Sequence, residues 1–551
     1  MTANLHWLPK ARNFQEVLGV IAQSGESPAE RIADLKALAN HNLDIIETLR
    51  ANRLLESIAQ QAKTASLNTG LVSLRLAILA SSTFEHILPA LRVAALRRGL
   101  WLECYLSLYD QYRQDLLDSS SELYAFKPEV IFIAIDSEKI APLVSLDASA
   151  DEVETLINRQ VEDMSSFWQL AQRQGAIVIQ ENFVVPPDRI FGHLDSLIPS
   201  APSNILSRIN QCLSKQAASQ KVLLFDLDAV AAMVGKGQWC QRRLWHHAKQ
   251  SVSPAHASLF GDHLARVLAA IRGLSRKCLV LDLDDTLWGG NVGDLGVEGI
   301  EIGQGTGTGE AFQSFQKYLK QLAARGVLLA VCSKNDESNA KAPFERHPEM
   351  VLRVKDFASF IANWEDKASN LVEIASCLNI GLDSLVFFDN DPMQRDLVRR
   401  SLLEVAVPEV PDDPSVFARG LSDAGYFETI AFTADDLKRS AQYSANAQRS
   451  RFQAQHTDPG DFLKSLQMQM LVSPFDFIGL PRIAQLVNKS NQFNLTTQRY
   501  TEAHLRAFME NSAIMTFQVR LTDIYGDNGI ISVLIFKPLA SNAGKRFYID
   551  T

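Results

Sequence analysis

The sequence predicts a multidomain α/β protein built around a doubly wound parallel sheet. Three observations predict it. The apolar run Cys278-Leu-Val-Leu leads straight into Asp282-Leu-Asp284-Asp285-Thr286, so a strand ends in two carboxylates spaced i, i+2. Alternate residues of a strand share a side, which brings Asp282 and Asp284 out together at its carboxyl end, where open α/β sheets carry their chemistry. Short apolar strands alternate with amphipathic helices on both sides of this point, the pattern of parallel βαβ units. Finally, 551 residues at 46% hydrophobic content leave room for three or four packed domains.

Residues 1–70 read as helical and amphipathic, for example over Ala29–Ala39, and suggest a packed appendage or docking element. Residues 71–270 form an α/β domain with short strands at Leu74–Ala80, Leu102–Leu106, Val130–Ala134, Ala176–Ile179 and Val222–Phe225. The third domain, 271–435, contains the Asp282 strand and an amphipathic helix at Ala311–Leu322 before Gly326. A second strand at Val327–Ser333 ends in a small hydroxyl suited to a phosphate oxygen. Lys367 opens a helix after Asn363-Trp364-Glu-Asp and supplies a cation. A third strand, Leu385–Phe388, ends in Asp389-Asn390-Asp391-Pro392, an acidic and amide cluster suited to a hard cation. Val222-Leu-Leu-Phe-Asp226-Leu-Asp228 has the same outline as the Asp282 strand but no such sequel, and is read as an ordinary buried strand end.

Residues 436–551 change character. A charged helix over 435–451 and a linker over 453–460 precede a helix–strand–strand segment. It comprises Leu480–Asn488, Met515–Val519 and Ile530–Phe536, with a turn at Tyr525–Gly529.

Global properties exclude several classes. A net charge of −9 argues against a nucleic-acid partner. No apolar run reaches the roughly 18 residues of a membrane helix, and the first residues lack the basic-then-apolar pattern of a signal peptide. Six scattered cysteines show neither zinc nor C-x-x-C spacing. A cytoplasmic protein is expected.

The residue types in this order suit phosphoryl transfer. One carboxylate attacks phosphorus, the other handles the leaving-group proton, and Mg2+ neutralises the oxygens between them. The four elements resemble the haloacid dehalogenase (HAD) superfamily of aspartate-nucleophile phosphotransferases. The resemblance implies that Asp282 is the nucleophile, that Asp284 is the general acid/base with its carbonyl on Mg2+, and that Lys367 steadies the nucleophile. It assigns phosphate binding to Thr286, Ser333, Lys334 and Asn335. The metal site would comprise Asp282, Asp284, Asp389 and Asn390, and Asp391 is also within reach. Close relatives read Asp-Asp-Asn-Pro where this chain has Asp389-Asn390-Asp391-Pro392.

Asp-Thr-Leu-Trp-Gly-Gly at 285–290, Val-Cys-Ser-Lys-Asn-Asp at 331–336, His347-Pro-Glu-Met350, Asn379–Ser384 and Asn488–Thr496 narrow the resemblance to the FkbH-like branch. That branch is associated with polyketide and hybrid peptide–polyketide assembly. Its characterised type takes 1,3-bisphosphoglycerate, removes phosphate and delivers a glyceryl unit to an acyl carrier protein. Mg2+, a phosphorylated small-molecule donor and a carrier protein with its phosphopantetheine arm are therefore the implied cofactor and partners.

In this branch 71–270 looks SGNH-hydrolase-like, starting at Ser81-Ser82-Thr83. Asp262 and His263 are adjacent, however, and do not give the D-x-x-H pair of such enzymes. Residues 436–551 look like the first part of a GNAT-like α+β acyltransferase domain. The chain stops at Tyr548–Thr551, where a pantetheine-binding loop would follow, so either it is truncated or something else completes the domain. The glycine-rich stretch 288–309 has no room for a cap domain, which suits a tethered substrate but equally a protein phosphatase.

Two readings of Cys332 stand. Lys334 and Lys367 are placed to lower its pKa for an acyl-carrying thiolate, or it faces the core on the strand side opposite Ser333. Three functions remain: glyceryl loading of a carrier protein, a stand-alone phosphatase of small molecules or phosphoproteins, and a loading scaffold without catalysis.

Overall fold

Five apolar segments of the first half form parallel strands: β1 Val72–Ala80, β2 Leu100–Leu106, β3 Val130–Ala134, β4 Ile177–Glu181 and β5 Leu223–Phe225. They pair in the order β2-β1-β3-β4-β5. The computed structural model describes residues 5–65, 70–140, 144–173, 175–432, 437, 449, 464–489, 500–539 and 546–550. The chain folds as two compact units, one comprising 1–275 with 422–430, the other 276–421 with 431–551.

In the first unit the strand period of two sorts the core. Leu74, Leu76, Ile78, Val130 and Phe132 pack on one sheet face with Phe260. Ala77, Leu79, Ile131 and Ile133 pack on the other with Trp168. Three helices, Phe14–Gln23, Pro28–Ala39 and Ile45–Ala65, precede the sheet. The second is fixed at its start by a capping box, in which the Ser27 N–H donates to Glu30 Oε2 at 2.9 Å and Ser27 Oγ accepts from the Glu30 N–H.

Asp262, on helix Ala257–Ile271, is wholly buried. It accepts from Arg97 Nη1 (2.9 Å), Arg98 Nη2 (3.1 Å) and Arg266 Nε (2.8 Å). The same arginines reach the carbonyls of Ala39, Gly425 and Asp423, so one carboxylate organises three chain segments. Burial raises the Asp262 pKa, but Arg98, Arg266 and Arg97 outweigh it and hold the carboxyl well below its ordinary value. Asp262→Asn should therefore destabilise the protein by about 3–5 kcal/mol at neutral pH, because buried guanidinium groups lose their counter-charge. Since the folded pKa is depressed, this stabilisation is complete above the unfolded value of about 3.9 and is lost as pH falls below it. Chemical denaturation across that window checks both statements.

No hydrolase dyad forms among the described residues of this unit. Ser81 Oγ accepts the Asp136 N–H at 2.8 Å, Ser82 Oγ bonds Ser251 Oγ at 2.9 Å, and His86 Nε2 meets the Val252 carbonyl at 2.8 Å. His263 is half-buried, and its pKa is pushed down to about 3 by desolvation and by Arg266. Asp226 corrects the sequence reading: it is exposed, not buried, and caps helix Leu227–Val234 by accepting the Ala229 N–H. A strand that passes directly into a helix needs a capping acceptor at the junction, and Asp226 supplies it.

In the second unit β6 Cys278–Leu281, β7 Leu328–Ser333, β8 Ser359–Ala362 and β9 Leu385–Phe388 form a parallel sheet in the order β8-β7-β6-β9. Helices Gly307–Ala324 and Lys367–Leu378 lie between its strands in sequence. The stretch after β6 holds the short helix Val292–Gly299, a parallel bridge from Asp284 to Trp288 and an antiparallel bridge from Gly289 to Glu301, and no cap domain.

Further along this unit, β10 Gln469–Ser473, β11 Met515–Asp523, β12 Gly526–Leu539 and β13 Arg546–Ile549 form an antiparallel sheet in sequence order, with helices Leu480–Lys489 and Glu502–Glu510. The hairpin turn lies at Ile524-Tyr525, not over Tyr525–Gly529, because Asp523 pairs with Gly526. Gly529, at φ +67°, instead lies where the ladder register shifts opposite Val519–Thr522, the role of a bulge glycine. The linker at 453–460, residues 490–496 of the Asn488–Thr496 motif, and the 435–451 helix apart from 437 and 449 fall outside the described residues. Among the described residues no helix is long and apolar enough to cross a membrane.

Candidate active site

The parallel sheet of the second unit carries Asp282, Ser333 and Asp389 at or just past the carboxyl ends of β6, β7 and β9, and Lys367 follows β8 as the first residue of its helix. Four residues spread over more than a hundred positions thereby share one sheet edge. Lys367 is 2% exposed, and its Nζ bridges Asp282 Oδ1 at 3.0 Å and Asp389 Oδ2. Burial disfavours the Lys367 charge, but Asp282 and Asp389 outweigh it and hold the ammonium protonated above its ordinary range. The Asp389 carboxyl is raised by burial and by the neighbouring charge of Asp282, against the pull of Lys367.

Asp284 is held from three sides. Its Oδ1 accepts from Trp288 Nε1 (3.0 Å) and the Val292 N–H (3.1 Å), and its Oδ2 accepts from Asn335 Nδ2 (3.2 Å). Burial raises its pKa, with help from the charges of Asp282 and Asp285 and against the hydrogen bonds of Val292 and Trp288. A carboxyl that keeps its proton to higher pH suits a general acid. The turn that presents it passes through Asp285 at φ +53°, a left-handed conformation that Asp tolerates, and Asp285 Oδ1 fixes the turn by accepting the Gly290 N–H at 2.6 Å.

The family model described as FkbH, N-terminal domain, matches residues 75–264. The crystal structure of the N-terminal part of the protein BF1531 from Bacteroides fragilis, containing a phosphatase domain and complexed with Mg, is 33% identical to this chain. The match covers 71% of this chain and 100% of that one, with a TM-score of 0.63. The chain belongs to the FkbH-like branch of the HAD superfamily. A lipase/acylhydrolase from Enterococcus faecalis (11% identity, 35% of this chain and 95% of its own) and the acetyl xylan esterase AlAXEase (10%, 35% and 99%) both reach a TM-score of only 0.25, too low to bear on fold or activity. No curated protein matches the chain.

The donor set of this FkbH-like site fits a hard divalent cation. Every polar group offered by Asp282, Asp389, Asn390 and the Asp284 carbonyl as a ligand is an oxygen. Lys367 pairs with the carboxylates of Asp282 and Asp389, and the Asp284 and Asp389 carboxyls are raised first by burial and then by the neighbouring charge of Asp282. Among the described residues no three His, Cys, Asp or Glu side chains are grouped to hold a metal. An amide or main-chain oxygen would therefore have to complete the set. Of the 389–391 cluster, Asp391 serves as the N-cap of helix Pro392–Ser401 by accepting the Met393 N–H (2.8 Å). Asn390 Oδ1 accepts from Thr286 Oγ1 at 3.1 Å.

Two sequence assignments change, and of the two readings of Cys332 the core-facing one holds. Thr286 is fully buried, and its hydroxyl donates to Asn390 Oδ1 and accepts the Asn390 N–H, so it fixes the loop after β9 and is not exposed to a phosphate. Asn335, 4% exposed, gives its amide to Asp284 Oδ2 and so orients that carboxyl group, a partner the phosphate assignment did not foresee. Cys332 is fully buried and lies in one apolar cluster with Leu328 and Ala330 of its own strand and with Val280 and Phe387. Its Sγ lies 3.8 Å from the Lys367 carbonyl. Burial pushes the thiol up to about 12 despite Lys367, which disfavours the acyl-carrying thiolate. Cys332→Ala should accordingly keep kcat within about threefold of wild type and cost about 1–2 kcal/mol of stability through the small void; steady-state phosphate release and thermal unfolding check it. Ser333 is 2% exposed at the end of β7, while Lys334 beside it is half-buried.

Sequence reasoning missed three supporting residues. Trp288, in the motif but given no role, donates to Asp284. Arg395 donates Nη1 to the carbonyls of Asp389 (2.9 Å) and Asn390 (2.7 Å) and pairs with Glu409 at 2.8 Å. Its signal was its place four residues after Asp391, one helical turn into the helix that starts at Pro392. Gln316, fully buried, ties the Leu287 carbonyl at 2.9 Å to the N–H groups of Val351 and Leu352. Nothing in its helical surroundings marks it out.

Proposed function

We propose that this chain is a Mg2+-dependent HAD-type phosphatase. It acts on a phosphorylated three-carbon acyl donor, 1,3-bisphosphoglycerate, and loads the glyceryl unit onto an acyl carrier protein. The observation that carries the phosphatase part is Lys367 Nζ shared between Asp282 and Asp389 beside a hydrogen-bonded Asp284 whose pKa burial raises. Membership of the FkbH-like branch supports the donor and the carrier.

Asp282 Oδ attacks phosphorus and forms an aspartyl phosphate, and Asp284 gives its proton to the leaving oxygen. Asp284 then takes a proton from the water that hydrolyses the intermediate. Lys367 stays protonated throughout and balances the carboxylates of Asp282 and Asp389. Trp288 and Asn335 keep Asp284 oriented. Asp282, the Asp284 carbonyl and oxygens of the 389–390 pair would hold Mg2+, which when bound neutralises the phosphate oxygens. The carrier's own phosphopantetheine thiol attacks the acyl carbon and expels the 1-phosphate, because Cys332 is buried and protonated, and Asp282 then removes the remaining 3-phosphate ester.

Within this reading the first unit is an SGNH-like domain without its hydrolase machinery, supported by the all-parallel sheet order β2-β1-β3-β4-β5. The antiparallel sheet of 469–549 with its two helices supports a GNAT-like fold at the end of the chain.

Intact-protein mass spectrometry of carrier protein incubated with this chain, Mg2+ and 1,3-bisphosphoglycerate tests the proposal. A glyceryl adduct supports loading, phosphate release alone leaves a stand-alone phosphatase, and neither outcome leaves a scaffold. Asn390→Asp adds a full negative charge beside the 389 carboxylate and is expected to lower the Mg2+ concentration for half-maximal activity about tenfold, since ligand charge count helps set affinity. A Mg2+ titration of phosphate release checks it, and an unchanged midpoint would show that residue 390 does not face the ion.

A further inference from the structure

The loop after β9 offers a cation both main-chain and side-chain oxygens, and it is held from two sides. On one side Thr286 engages Asn390 twice, donating to its Oδ1 at 3.1 Å and accepting its N–H at 3.3 Å. On the other side Arg395 Nη1 donates to the Asp389 carbonyl at 2.9 Å and to the Asn390 carbonyl at 2.7 Å.

Arg395 is itself firmly placed. It lies on helix Pro392–Ser401, is 5% exposed, and pairs through Nη2 with Glu409 at 2.8 Å. Glu409 also pairs with Arg399 at 2.7 Å, and Arg399 donates to the Val407 carbonyl. A planar guanidinium can address the two carbonyls with one nitrogen and the carboxylate with the next. Bonds from a charged donor are roughly twice as strong as neutral ones, so both carbonyls are drawn toward the helix. The side chains are committed differently. Asp389 Oδ1 accepts the Asp391 N–H at 2.8 Å, and its Oδ2 accepts from Lys367. Asn390 Oδ1 accepts only from Thr286 among the described residues, which leaves this amide oxygen a second lone pair.

We propose that Arg395 is a positioning residue of the cation site. By holding the 389 and 390 carbonyls it withdraws both main-chain oxygens of this loop and leaves the Asn390 amide oxygen as the neutral ligand beside Asp282 and Asp389. Among the described residues no three His, Cys, Asp or Glu side chains are grouped for a metal, so a neutral oxygen has to complete the set. The inference rests on the phosphatase reading and deepens it. Groups that orient metal ligands are typically worth about ten- to a hundredfold in metal affinity.

Calorimetric titration of the full chain with Mg2+ alone tests it. Arg395→Lys keeps a positive charge for Glu409 but not the planar fork, and Arg395→Met removes the charge while Glu409 keeps Arg399. Both should weaken Mg2+ binding about ten- to a hundredfold, and the rise in thermal midpoint on adding Mg2+ should shrink with it. Arg400→Gln, on the same helix but paired with Asp396, should bind Mg2+ as wild type does. Asn390→Ala should weaken binding as well, and Arg395→Lys added to it should cost little more, because both changes act through one ligand. Wild-type affinity in folded Arg395→Lys, even with a lowered thermal midpoint, would make Arg395 a structural anchor only and overturn the proposal. Full additivity of Arg395→Lys and Asn390→Ala would overturn the assignment of the amide. If Arg395→Met does not fold, Arg395→Lys and the Asn390→Ala pair decide the question. A wild type that neither binds Mg2+ nor releases phosphate would sink the phosphatase reading and this inference together, whereas wild-type binding with unchanged variants sinks this inference alone.

Discussion

Asp282→Asn should reduce phosphate release by on the order of 10^4-fold or more, because the amide cannot attack phosphorus. The fold should survive. Asn keeps the shape of Asp282, and Lys367 retains its ion pair with the fully buried Asp389. Although Asp282 is buried at 8% exposure, only one of the two partners of Lys367 loses its charge, so the thermal midpoint should stay close to that of wild type. Steady-state phosphate release with a generic phosphomonoester, beside a thermal melt, separates loss of chemistry from loss of structure. Wild-type turnover in Asp282→Asn would remove the assignment of this residue as nucleophile.

Lys367→Met should be inactive and also unstable. Its ammonium is the cation shared by Asp282 and Asp389, and removing one member of a buried pair strands the others at about 3–5 kcal/mol. Part of that loss should be recovered at lower pH. The Asp389 carboxyl, already raised by burial and by Asp282, rises further without Lys367 and takes up a proton in the folded state. A folded pKa above the unfolded value makes stability fall as pH rises through it, so the destabilisation relative to wild type should shrink from neutral to mildly acidic pH. Urea denaturation of both proteins across that range checks the sign. Equal destabilisation at every pH would mean that the carboxylates find another partner.

Much of this was legible in the sequence, and the boundary is physical. The five strands of the first sheet and the Asp282 strand were readable because buried parallel strands are short, continuous apolar runs. Asp282, Lys367 and Asp389 come together because each sits where a strand ends or a helix begins, which is a local signal. β8, β10 and β13 escaped the sequence reading. β8 and β13 have four residues each, and β10 and β13 are largely exposed, so neither length nor apolar pattern marks them. Thr286 and Asn335 were placed on phosphate because a hydroxyl or an amide near a strand end suits that role. Their real partners, Asn390 and Asp284, lie 104 and 51 residues away, and no local pattern reports them. For Cys332 the strand period held the answer: it shares a face with Leu328 and Ala330, which belong to the apolar cluster.

The central claim is that phosphate passes through the Asp282 side chain. Quenching the wild-type enzyme during turnover and reducing it with borohydride converts an aspartyl phosphate to homoserine, which peptide mass spectrometry locates. The account predicts homoserine at position 282, dependent on substrate and absent from Asp282→Asn. Turnover that yields no homoserine at 282, or places it at another residue such as Asp284 or Asp389, would contradict it.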